Sequence, residues 1–83
     1  MFYSNIAFIT LPLQAMNLKI EIEQEEDGRF IAEVIDFPGV LAYGNTRQEA
    51  VAKVQALALR VLADKLEHGE VKPDLFSVSF AAA

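Results

Sequence analysis

The sequence predicts a small two-layer α+β domain of order β-β-β-α-β, an antiparallel-rich sheet covered by one long helix. Three observations predict it. Apolar and polar residues alternate with period two over Leu18–Glu23, less strictly over Phe30–Ile35, and again near the C-terminus up to Phe80. Between the last two of these runs, residues 47–68 carry apolar side chains at helical spacing. The 83 residues are 53% apolar and contain no linker rich in Gly or Ser, which suits one domain.

The first strand spans about residues 17–24, with Leu18, Ile20 and Ile22 on one face and Lys19, Glu21 and Glu23 on the other. Glu25-Glu26-Asp27-Gly28 follows, a hairpin signal because Gly takes positive φ without steric cost. The second strand, Arg29 to Ile35, sets Phe30, Ala32 and Val34 against Ile31, Glu33 and Ile35. That second face is not wholly polar, so some cover is expected there. Asp36-Phe37-Pro38-Gly39 ends the strand, since Pro has no amide hydrogen and Pro-Gly favours a type II turn. A short third strand, Val40 to Tyr43, ends at Gly44. Thr46 and Glu49 then stand at capping-box spacing, so a helix is expected from about 47. It stops at Gly69, with Pro73 beyond. Ala50, Val51, Val54, Leu57, Ala58, Val61 and Leu62 form the stripe that would cover the sheet, and Ala52, Ala56, Leu59, Ala63 and Leu66 form a second apolar sector. A fourth strand over 74–80 sets Phe76, Val78 and Phe80 against Leu75, Ser77 and Ser79.

Residues 1–15 stand apart, uncharged and with an apolar run Ile6–Leu11 ended by Pro12. No basic segment precedes that run, as a secretory signal would require, and it falls short of the roughly 20 apolar residues of a membrane span. It is read as an apolar N-terminal extension before a domain of residues 16–80, and a cytoplasmic location with no membrane association is expected. A chain of this length buries only about 60–65% of its unfolded surface, so a lone core is marginal. Together with the second helix sector, this predicts a homo-oligomer, with Leu59 and Leu66 as self-association residues.

Charge and residue types narrow the function classes. Twelve acidic against seven basic residues give a net charge of −5, and Lys19, Arg29, Arg47, Lys53, Arg60, Lys65 and Lys72 are scattered singly. Direct nucleic-acid binding is therefore not expected, because that affinity rests on clustered cations displacing counterions. With no Cys and a single histidine, His68, neither a disulfide nor a zinc site is expected. Glu25, Glu26 and Asp27 read as a solvated turn, and Asp36 as an acceptor of backbone hydrogen bonds beside the Phe-Pro-Gly turn. His68 suits the dipole at the helix C-terminus. Neither the serines nor the glycines form a nucleophile elbow or a phosphate loop. No catalytic residue, cofactor or metal is expected.

Several motifs occur together: Asp27-Gly28-Arg29-Phe30-Ile31-Ala32, then Asp36-Phe37-Pro38-Gly39, then Gly44-Asn45-Thr46-Arg47-Gln48-Glu49-Ala50. In this order and spacing they resemble the HicB-type antitoxin family, over about residues 16–80, in its short stand-alone form without the C-terminal DNA-binding domain. The resemblance implies a partial ribonuclease H-like fold lacking that enzyme's catalytic acids. It also implies a non-catalytic antitoxin that binds and neutralises a small basic HicA-type toxin, one that degrades mRNA. The matching residues Asp27, Gly28, Asp36, Pro38, Gly39, Gly44, Thr46, Glu49 and Ala50 have mostly structural roles. For a basic partner, Glu25, Glu26, Asp27, Glu33 and Asp36 are the electrostatic candidates. The alternative is a stand-alone structural or regulatory homo-oligomer with no toxin.

Overall fold

The computed structural model describes residues 14–71 and 76–82. Strand β1 runs Gln14–Gln24, β2 Phe30–Val34, β3 Leu41–Gly44, helix α1 Arg47–Glu67 and β4 Phe76–Ala82. The expected β-β-β-α-β order is therefore present. One mixed sheet has the order β3-β2-β1-β4, with two antiparallel pairs and a parallel β1–β4 pair. The apolar N-terminal extension lies outside the described residues except for Gln14 and Ala15, which open β1.

β1 begins earlier than its alternation alone shows. Residues 20–24 pair with β2 and residues 14–20 with β4, so Ile20 is the one residue in both ladders. The extra length is stabilised by a partner strand from the far end of the chain. β4 likewise continues past Phe80, because Ala81 and Ala82 pair with Lys19 and Ile20.

The turns follow their local chemistry. The Gly28 amide donates to the Glu25 carbonyl at 2.9 Å and the Glu25 amide to the Arg29 carbonyl at 2.7 Å. Gly28 sits at φ +95°, as the residue closing a three-residue hairpin loop requires. Val40 donates to the Phe37 carbonyl at 3.0 Å across Pro38-Gly39, and Gly39 has the positive φ of a type II turn.

Both ends of α1 are capped. Thr46 Oγ1 accepts the Glu49 amide at 3.0 Å, while Glu49 Oε1 accepts the Asn45 amide at 2.6 Å, one residue further out than the usual capping box. Glu49 Oε2 also lies 3.3 Å from Lys53 Nζ. The Asn45 amide first, and then Lys53, hold the Glu49 carboxyl below its ordinary pKa. At the other end, Gly69 donates to Leu66 and Glu70 to Lys65, a Schellman pair of bonds beyond the cap residue His68.

α1 buries an i, i+4 row of Ala50, Val54, Ala58 and Leu62, and the first three form one core cluster with Leu18, Ile20, Ala32, Val34 and Val40 of the sheet side. The tightest point is Gly44. A Cβ there would lie 2.9 Å from Ala50 Cα and 3.0 Å from the Glu49 carbonyl carbon, and nearer still to the Ala50 amide nitrogen. The helix consequently packs over β3 and β2 and only lightly on β1. Met16, Val78 and Phe80, on the same side of the sheet, are left half-buried.

Gly44→Ala is expected to cost about 3 kcal/mol in urea denaturation, because rigid backbone must shift. Gly28→Ala meets nothing within 4 Å and should cost only about 1 kcal/mol through its positive φ. Equal costs would show that the helix yields at Gly44. Glu49 has a lowered folded pKa, so its contribution is present above its ordinary value of 4.5 and lost as pH falls through the folded value. Glu49→Gln should therefore lower stability at pH 7 and flatten the loss of stability below pH 4.5.

Candidate functional site

α1 covers one face of the sheet, and among the described residues nothing covers the other. That open face displays the odd-numbered residues of β1 and β2. Strand register sets Glu23, Ile31 and Tyr43 in one row across β1, β2 and β3, and Glu21, Glu33 and Leu41 in the next. Ile35 follows, with its amide on the Lys19 carbonyl at 3.1 Å. The exposed large apolar side chains among the described residues are Ile35 at 44%, Leu41 at 38%, Tyr43 at 39% and Leu59 at 48%. The first three share this face. Beside them Glu21, Glu23, Ile31 and Glu33 line a shallow depression of about 130 Å³.

Two features separate this face from an ordinary solvated one. Glu21 and Glu33 stand directly opposite each other, and like charges in that relation destabilise a sheet. No hydrogen bond or ion pair with a described residue compensates them. At the β3 end, the Arg29 guanidinium lies 4.5 Å from the Tyr43 ring centroid, a cation–π contact that leaves much of the ring exposed. Carboxylates crowded beside uncovered apolar side chains favour a partner that brings cations and apolar groups together.

The acids singled out in the sequence separate into different environments. Glu33 lies on the open face. Glu25 and Glu26 are in the hairpin, and Asp27 is engaged there: its carboxylate accepts the Arg29 amide at 3.0 Å and Arg29 Nε at 2.8 Å. Those two bonds, the amide first, hold its pKa below the ordinary carboxylate value. Asp36 lies at the other end of β2. Its Oδ2 accepts the Lys19 amide of β1 at 3.1 Å, supplying an acceptor where β2 turns away. It is thus a backbone acceptor, as the sequence suggests, but across strands rather than within its own turn.

Glu21 and Glu23 join Glu33 and were not among those candidates. Their signal is the outward phase of the first alternation, which becomes a patch only through pairing with the second strand. On α1, Leu59 is exposed and Leu66 half-buried, while Ala52, Ala56 and Ala63 are exposed. His68 Nδ1 lies 2.8 Å from the Asp64 carbonyl oxygen, a role in helix termination. Among the described residues no group of three His, Asp or Glu side chains is placed to hold a metal ion, and no helix is long and apolar enough to cross a membrane. The chain matches no protein-family model, no curated protein and no solved structure.

Relieving the Glu21–Glu33 opposition should stabilise the domain. Glu33→Lys is expected to raise stability at low salt by about 0.5 kcal/mol. Thermal melts with and without added salt check this, since the gain should shrink as screening increases.

Proposed function

We propose that this chain is a non-catalytic HicB-like domain that binds and neutralises a small basic toxin of the HicA type, an mRNA-degrading protein. The observation that carries the reading is the open face, where Glu21, Glu23 and Glu33 adjoin Ile31, Ile35, Leu41 and Tyr43. The β-β-β-α-β order and the spacing of Gly44, Thr46, Glu49 and Ala50 add support, since they accord with the resemblance seen in the sequence.

The partner's cationic surface, the one that would hold RNA phosphates, docks on the carboxylates. Its neighbouring apolar groups cover Ile31, Leu41 and Tyr43. The net charge of −5 speeds encounter with a basic protein, while the apolar contacts set the lifetime of the complex. Inhibition on this reading is occlusion, with no bond made or broken by the domain. A second reading, a regulatory homo-oligomer with no toxin, draws on the exposed Leu59.

The test is a small basic protein encoded beside this gene. Its expression alone should arrest growth, and co-expression of this chain should restore it. In a titration of the purified proteins, Glu33→Lys should weaken binding about tenfold, near 1.4 kcal/mol. Glu26→Lys, in the hairpin, should change binding less than about twofold. Equal effects of the two would remove the open face from the interface, and no binding to any neighbouring product would favour the second reading.

A further inference from the structure

We propose that β4 is a self-association edge on which a second copy of this chain adds its own β4 antiparallel, joining two four-stranded sheets into one. This surface differs from the open face and does not depend on the toxin reading.

β4 hydrogen-bonds on one side only among the described residues, to β1. Its other backbone edge is seven residues long, and Phe-Ser-Val-Ser-Phe-Ala-Ala contains no charge, Pro or Gly. A charge or a Pro is a usual device that keeps an edge strand from pairing, and β4 has neither. The opposite edge, β3, is only four residues long. Charge points to a second copy as the occupant. Two chains of net charge −5 repel, so contact between copies is favoured where each is neutral, and β4 is the longest strand with no ionisable side chain. The helix adds a further reason. Because α1 sits over β3 and β2, Val78 and Phe80 are only half-buried and have apolar area left to cover.

A two-fold axis fixes the register. An antiparallel pair of identical strands keeps matching faces only if opposed residue numbers sum to an even value. Full overlap of 76–82 places Ser79 opposite Ser79 of the second copy. Val78 then meets Phe80 and Phe80 meets Val78, so two pairs of aromatic and β-branched side chains form on the helix side. Ser77 meets Ala81 on the open side.

The chain has no cysteine, so Ser79→Cys supplies a single thiol per copy. The 83-residue chain should scatter light with twice its own 9.2 kDa mass. Ser79→Cys should cross-link to a dimer under mild oxidation, since opposed Cα atoms in an antiparallel pair lie within disulfide reach, at about 4.5–5.5 Å. Ser77→Cys, four residues out of register with its own mate, should not cross-link. Ser79→Lys should give a monomer with an unchanged circular dichroism spectrum, and Leu59→Glu should leave the dimer intact. A monomeric 83-residue chain overturns the proposal. So does a dimer that Leu59→Glu dissociates and Ser79→Cys fails to trap.

Discussion

The close approach of Gly44 to the first turn of α1 determines where the helix lies, and the position of the helix determines which surfaces remain. With backbone against backbone at Gly44 and Ala50, the start of α1 is held at the end of β3, and the helix packs mainly on β3 and β2. Small side chains at Ala50 and Ala58 keep the row close to the sheet, while Val54 and Leu62 fill the space between. A helix centred further along the sheet would cover Val78 and Phe80 and uncover Val40. One contact at the sheet margin thus leaves the β4 side thinly roofed, and nothing among the described residues covers the face opposite the helix.

The acidic residues fall into two groups once the fold is formed. Asp27, Asp36 and Glu49 each accept a backbone amide hydrogen, and each does so where a regular element begins or ends. Their charge serves the chain's own geometry. The carboxylates of Glu21, Glu23 and Glu33 accept no hydrogen bond from a described residue, and they stand on the exposed side of regular strands. Two of them repel each other. An arrangement that local stability disfavours is more informative about binding than total acidity, because nothing in the folding of the domain requires it.

Features encoded within about ten residues were legible in the sequence, and those that depend on distant partners were not. The Asp27-Gly28 hairpin, the Pro38-Gly39 turn, the Thr46 cap and the stop at Gly69 are each specified by neighbouring residues, and each is where the pattern puts it. The parallel pairing of β4 and the stagger at Ile20 join residues 62 positions apart, which no local alternation records. The same limit applies to the candidate site. Glu33 was visible as an outward acid, but its association with Glu21 and Glu23 required the cross-strand register. Acids that are contiguous in sequence, Glu25 to Asp27, gather in a hairpin, and Asp36 lies at the far end of the strand. The alanines of the second helix sector are exposed, as their helix propensity alone allows.

The separation between β1 and β4 also bears on how the domain is made. Translation proceeds from the N-terminus at about 5–20 residues per second, so β1 waits several seconds for β4 to be synthesised. During that interval β1, β2, β3 and α1 already hold the residues that form most of the core, since the helix packs on the strands that precede it. Without β4, the assembly of those elements has an unpaired flank along Gln14–Ile20. β4 docks as a closing step, and until it does so Gln14–Ile20 presents an unpaired edge that is open to mispairing.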